Sequence, residues 1–311
     1  MNAPMRQLAI VLCSILVVGC SSDERAADTA EVERGLPRVY AVNYPLAFFA
    51  GRIGGDSVEV AFPAPADVDP AMWVPDVDTV AAFQRADIVL LNGAGYAGWV
   101  QRVTLSQSRL VDTSAAFADR LIPIENDVTH SHGPAGDHSH EGAEFTTWLD
   151  CEFAIEHARA VLNALVRLRP DNEAQYRERF AELEQELLSL DQELKAVAAR
   201  IGDQPLLFSH PVYQYFERRY SLNGQSLHWE PGEMPEEAQW RELSGILSAH
   251  AAEWMIWEGE PHPETASRLE GLGIQSVVFR PAGNRPETGD YLGVMQDNLR
   301  SLQKAFPNSA D

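Results

Sequence analysis

Short apolar runs alternate along the chain with longer stretches in which apolar residues recur every three or four positions. The first pattern is that of buried strands and the second that of amphipathic helices; their alternation marks α/β architecture with largely parallel sheets. Strands are predicted near residues 38–43, 58–62 and 87–92, each followed by a helical stretch, and again near 205–209, 253–258 and 274–279. Between the two sets, Tyr176, Phe180, Leu183, Leu187, Leu190, Leu194, Val197 and Ile201 recur at alternating steps of four and three. That spacing predicts one helix of roughly 45 Å with a single apolar stripe. Such a helix is longer than one small domain needs. It reads as a spine against which two lobes pack, with a coiled-coil dimer as the rival explanation. A weak echo between Ala86-Asp-Ile-Val-Leu-Leu-Asn-Gly93 and Ala252-Glu-Trp-Met-Ile-Trp-Glu-Gly259 predicts two similarly built lobes. The last helix, carrying Tyr291, Met295, Leu299 and Leu302, closes the chain.

The expected fold is therefore α/β, with two lobes of mainly parallel sheet flanked by helices and joined by one long rigid helix. The boundaries are an N-terminal lobe over 37–168, a linking helix over 169–202 and a C-terminal lobe over 203–311. Ligands of open α/β sheets bind beyond the carboxyl ends of the strands, so the cleft between the lobes is the expected binding place.

The first nineteen residues carry one charge, Arg6, then an apolar run from Leu8 to Val18, and Gly19 precedes Cys20. Eleven apolar residues are too few to span a bilayer, and a positive start with a short apolar core is a secretory signal. A cysteine directly after it predicts a lipoprotein, with Cys20 as the lipid-carrying residue and 20–36 as a polar tether. The expected location is periplasmic or cell-surface, with the membrane touched only through the lipid. Cys13 leaves with the signal, so Cys151 stands alone and the fold rests on its hydrophobic core. The formal net charge is −22, or −23 once Arg6 is removed. That surface excludes nucleic acid and anionic headgroups as partners.

Four of the nine histidines, His130, His132, His138 and His140, fall within eleven residues in a Gly/Pro-spaced loop over 125–142. Neutral imidazole is a common ligand for zinc, copper and nickel, and flanking Glu125, Asp127, Asp137 and Glu141 add oxygen donors. The competing reading is a solvated acidic loop. Loose, exchangeable zinc contact is the expectation, with no resident cofactor required.

The order and spacing of Asn43-Tyr-Pro-Leu46, Asp69-Pro70, Ala86 to Gly95, Trp148-Leu-Asp150, Phe208-Ser-His210 and Arg218-Arg-Tyr-Ser-Leu222 resemble the zinc- and manganese-type solute-binding lipoproteins of bacterial ABC importers. The resemblance runs from Arg38 to Phe306. It implies a monomeric binding protein with a permease partner and four metal ligands, two from each lobe. Carried onto this chain, those positions are Ala71, Thr146, His210 and Arg280, so only His210 remains a donor. Thr146, Arg280 and Glu258 then become candidate contacts for an anion or a metal chelate, since guanidinium stays charged at every relevant pH. Glu258 is also expected to pair with Arg280. Met72, Cys151, His228, Glu258, Glu260 and His262 are the candidate replacement ligands. His157 and His250 are expected to be partly exposed helix residues, and the segment from His228 to Pro231 is expected to be packing and loop chemistry.

Three functions remain open: a zinc-type solute-binding protein with a degenerate cleft, the same scaffold binding an anion or chelate through Arg280 and His210, or a zinc buffer without its own importer. Enzyme chemistry is not expected. Ser209 and His210 are adjacent and cannot pair as nucleophile and base, and no H-E-x-x-H, P-loop or Gly-x-Ser-x-Gly is present.

Overall fold

The computed structural model describes residues 35–124, 130–131, 137–138 and 142–308. The predicted leader, Cys20 and residues 20–34 of the tether lie outside the described residues. In the first lobe, β1 (Arg38–Ala41), β2 (Glu59–Ala61), β3 (Ile88–Leu91) and β4 (Leu110–Asp112) form one parallel sheet in the order β2-β1-β3-β4. Helices α1 (Tyr44–Gly54) and α2 (Val77–Arg85) are its crossovers. Each starts on a side-chain cap, Asn43 accepting from the Leu46 amide and Asp76 from that of Thr79. The backbone of β5 (His130–Ser131) pairs antiparallel with that of β6 (Asp137–His138), and α3 (Cys151–Leu168) completes the lobe.

The second lobe repeats the plan. Strands β7 (Pro205–Phe208), β8 (Asn223–Ser226), β9 (Trp254–Trp257) and β10 (Gln275–Val278) are parallel in the order β10-β9-β7-β8. By rank within its lobe each sheet runs second, first, third, fourth, so the echoed segments around β3 and β9 occupy the same place in both. Helices α5 (Gln214–Tyr220), α6 (Glu237–Ala249) and α7 (Pro263–Gly271) connect the strands, and α8 (Tyr291–Ala305) ends the domain. Edge strands β4 and β8 were not among the predicted strands. Three residues of Leu-Val-Asp and the polar run Asn-Gly-Gln-Ser carry too little apolar alternation to register as strands.

Between the lobes runs α4 (Glu173–Ile201), 29 residues and about 43 Å long. All eight stripe residues from Tyr176 to Ile201 are buried. The helix packs on α1 and α3 of the first lobe and on α5 and α8 of the second, so its apolar face is covered within one chain. A coiled-coil partner is not needed to bury it. Truncating a central stripe residue such as Leu187 to Ala costs about 2–5 kcal/mol, because α4 is wall to both lobes' cores.

A charged network seals the junction. Arg219 on α5 donates to both carboxylate oxygens of Asp191 on α4 at 3.0 and 2.8 Å, and to Glu152 on α3 at 2.5 Å. Burial pushes the Asp191 carboxyl up, but Arg219 and Lys195 outweigh that and hold it below its ordinary value. Further ties cross between lobes. Trp148 Nε1 donates to the Pro281 carbonyl at 2.7 Å, and the Tyr291 hydroxyl donates to the Trp148 carbonyl at 2.9 Å. Among the described residues no helix is long and apolar enough to cross a membrane.

Candidate functional site

Loops leaving the carboxyl ends of both sheets enclose one cleft of about 1230 Å³. Asn43 and Asn92, following β1 and β3, hold the first wall together. Asn43 Nδ2 donates to Asn92 Oδ1 at 2.9 Å, and Asn92 Nδ2 donates to the Phe145 carbonyl at 2.9 Å. This pins the segment that carries Thr146. Asp69 turns its Oδ1 back to accept from the Ala71 amide at 2.9 Å, so the turn after β2 is self-bonded.

The second wall is built by the sheet itself. Past β7, the Ser209 amide donates to Ile256 at 2.9 Å, and past β8 the amides of Leu227 and Trp229 donate to Phe208 and Ser209 at 2.8 and 2.7 Å. The β8 ladder thus continues through Trp229. In an extended segment alternate side chains face opposite ways, so burying Trp229 against Trp240 and Trp257 turns His228 and Glu230 together into the cleft. Gly259 lets this segment approach the end of β9, because a side chain there would meet Pro231 at 2.9 Å. His210 sits in the middle with a buried ring. Its Nε2 is 3.9 Å from Glu230 Oε1, its Nδ1 is 3.6 Å from Glu258 Oε1, and its ring centre is 5.9 Å from that of His228.

The charge of the lining is one-sided. Asp67, Asp69, Glu144, Glu230, Glu233 and Glu258 line it together with His210 and His228, and no lysine or arginine does among the described residues. Desolvation raises the Glu144 carboxyl to about 7, so it titrates near neutral pH. A cleft of this kind draws in cations and repels anions. No three His, Cys, Asp or Glu side chains among the described residues are already gathered as a ready metal cage.

Of the predicted site residues, His210, Thr146 and Glu258 line the cleft. Arg280 corrects the expectation. Its backbone amide donates to Asn298 Oδ1 at 2.8 Å, and its guanidinium lies outside the lining, half-exposed and paired with Glu260 at 2.9 Å. Aligning a backbone position does not fix where a long side chain points. The expected Arg280–Glu258 pair is absent from the described contacts, since Glu258 faces His210. Thr146 is not a cradle donor either, because its hydroxyl donates to the Val212 carbonyl at 2.6 Å and latches one lobe to the other.

Of the replacement donors, Met72 and His228 reach the cleft and Cys151, Glu260 and His262 do not. Cys151 is fully buried beside the Tyr220 hydroxyl, and burial pushes its thiol up to about 12, so it stays protonated. His262 caps α7, its Nδ1 accepting from the Glu264 amide at 3.2 Å. Glu230 was not singled out because the sequence-level weight fell on the tryptophan before it. The signal available was alternation, apolar Trp229 between two polar neighbours in a segment following a strand.

His157 also corrects an expectation, being fully buried rather than partly exposed. Thr113 and Thr147 hold its two ring nitrogens at 2.7 and 2.8 Å, and desolvation lowers it to about 3. It is a neutral structural ring with both nitrogens in use. His250 is half-buried, with Nε2 at 2.9 Å from the Leu206 carbonyl. The side chains of His130, His132, His138 and His140 lie outside the described residues. The stem of their loop is described: Pro123 bridges to Ala143, the Ile124 amide donates to Gly142 at 3.1 Å and the Glu144 amide to Ile122 at 2.8 Å. Ile122, Pro123, Ile124 and Glu144 all line the cleft.

With this geometry in view, the model of one family, ZnuA, zinc-uptake complex component A periplasmic, matches residues 39–305. The chain belongs to that family. Zinc-binding lipoprotein AdcA of Streptococcus pneumoniae is 23% identical over 96% of this chain and 61% of its own length, so the chain spans about three fifths of that relative. The metal ABC transporter substrate-binding lipoprotein of Lactococcus lactis is 23% identical over 94% of both chains. Among solved structures, Zn(II)-bound AdcA from Streptococcus pneumoniae superposes with a TM-score of 0.74 at 19% identity, over 88% of this chain and 58% of that one. At that identity the likeness speaks for the two-lobed fold alone.

Proposed function

We propose that this protein is the extracytoplasmic solute-binding component of a metal-type ABC importer, with zinc as its cargo, and not an enzyme. One observation carries the reading: among the described residues the cleft is lined by six carboxylates and two imidazoles without a lysine or arginine. A divalent cation neutralises that lining, whereas a small anion or an anionic chelate meets repulsion on every side. The reading in which Arg280 recognises an anion loses its support, because the guanidinium pairs with Glu260 away from the cleft.

The loop of His130, His132, His138 and His140 is the zinc-contact element of this reading. Its paired stem starts and ends on the cleft rim, which favours delivery of loosely held ions to the cleft over storage elsewhere. A monomer tethered through Cys20 and docking on a permease completes the proposal.

The test is metal analysis by mass spectrometry of the purified full chain and of a chain lacking residues 126–141, with isothermal titration of zinc and of citrate. One tightly held zinc in both chains, extra weak zinc in the longer one, and no citrate binding are expected. Citrate binding without metal, or no zinc retention by either chain, would overturn the reading.

A further inference from the structure

Within the proposed metal-binding reading, and resting on it, we infer that the second lobe supplies three ligands to the ion: His210 Nε2, His228 and Glu230 are the ligands, and Glu258 is the positioning residue behind His210. Two carboxylates flank the His210 ring on opposite nitrogens, Glu230 at Nε2 and Glu258 at Nδ1. One imidazole cannot offer both nitrogens to one ion, so the two glutamates have different tasks.

Nε2 faces the metal, because Glu230 flanks that nitrogen and His228, two residues earlier in the same extended segment, lines the cleft with it. His228 and Glu230 are brought there together by the burial of Trp229 between them. A tetrahedral ion with bonds near 2.0–2.1 Å sets its donors roughly 3.3 Å apart. The 3.9 Å between Nε2 and Glu230 Oε1 is too long for a hydrogen bond and slightly wider than that spacing. Small side-chain rotations then draw the three donors in. Among the described residues no three such donors yet lie close enough to hold an ion, so loading requires these side chains to move. Nδ1 faces Glu258 at 3.6 Å, just beyond hydrogen-bond reach, and a small turn of that carboxylate on loading would fix the tautomer and raise the basicity of Nε2, the carboxylate–histidine–metal arrangement.

The first lobe contributes no strong ligand at the two positions where the resemblance implies histidines. Ala71 offers a methyl group, and the Thr146 hydroxyl hydrogen is committed to Val212. Three protein ligands leave one position of a tetrahedral ion for water or a further donor.

The experiment is zinc competition against a chelating indicator on the full chain and on single variants, each checked for folding by circular dichroism. His228→Ala and the isosteric Glu230→Gln should each weaken zinc about 100-fold or more. Glu253→Gln and Glu270→Gln, exposed on the second lobe and outside the cleft lining, should change it less than 5-fold. Glu258→Ala should weaken zinc about 10–100-fold and change the tautomer signals of the His210 ring in nitrogen-15 NMR, and Glu258→Gln, which keeps an acceptor, should recover most of the loss. Full zinc affinity in a folded His228→Ala, Glu230→Gln double variant overturns the second-lobe site while leaving a metal-binding cleft standing. Absence of zinc binding by the unaltered chain overturns the underlying reading itself.

Discussion

The two walls of the cleft come from sheets of the same strand order and bring three carboxylates each, yet among the described residues only the second brings imidazoles. On the first wall Asp69 is turned onto its own loop, Thr146 is latched to Val212, and the resemblance's two metal positions hold an alanine and a threonine. On the second, His228, Glu230 and Glu258 are arranged around the His210 ring. Packing two carboxylates beside one imidazole calls for a compensating positive charge, supplied either by a bound cation or by a proton on the ring. The comparison teaches that scaffold and side-chain chemistry vary separately: repeated strands preserve the cleft, while the described imidazoles stand on one side of it.

The largest expected effect separates the walls directly. His210→Ala should lower zinc affinity by 100–1000-fold in calorimetric titration, about 3–4 kcal/mol, whereas Ala71→Ser should change it less than 3-fold. A comparable loss in both would end the contrast.

Two histidines sharpen it next. His157 in the first lobe has both nitrogens bonded to threonines, so His157→Leu should leave zinc affinity unchanged while lowering stability by about 2–4 kcal/mol in urea unfolding. Its folded value of about 3 lies below the unfolded 6.5, so only the unfolded chain takes up a proton between those limits. The stability this neutral ring supports is present above pH 6.5 and is lost as pH falls toward 3. The gap between the original chain and His157→Leu should therefore narrow on acidification, and a constant gap would contradict the assignment.

A smaller effect comes from Glu144 on the cleft rim, raised to about 7 by desolvation. It is mostly neutral at pH 6 and mostly ionised at pH 8, so zinc affinity should rise several-fold across that range, and Glu144→Gln should flatten part of the rise. The smallest concerns Arg280. Because its pair with Glu260 is exposed, Arg280→Ala should shift stability by less than about 0.5 kcal/mol and zinc affinity by less than 2-fold. A large gain in zinc affinity would return the guanidinium to the cleft.

Much of this fold was legible in the sequence because burial writes period into it. The strands around 38–43, 87–92 and 253–258 are apolar on both faces, and the stripe from Tyr176 to Ile201 is one helix face covered by two lobes. Edge strands β4 and β8 were hidden, since an edge needs few apolar residues. At the site, His210 was legible through the Ser-His strand end. What the sequence concealed was direction: the guanidinium of Arg280 turned outward, the His157 ring turned inward, and His228 and Glu230 set side by side by an intervening tryptophan. Those facts depend on contacts from distant segments, Glu260, Thr113 and Trp257 among them.

The most direct measurement is a crystal structure of the zinc-soaked protein with anomalous data collected at the zinc edge. One strong peak is expected on the second-lobe wall, within about 2.1 Å of His210 Nε2 and touching His228 and Glu230. A peak beside Ala71 and Thr146, or none in the cleft at all, would contradict the account.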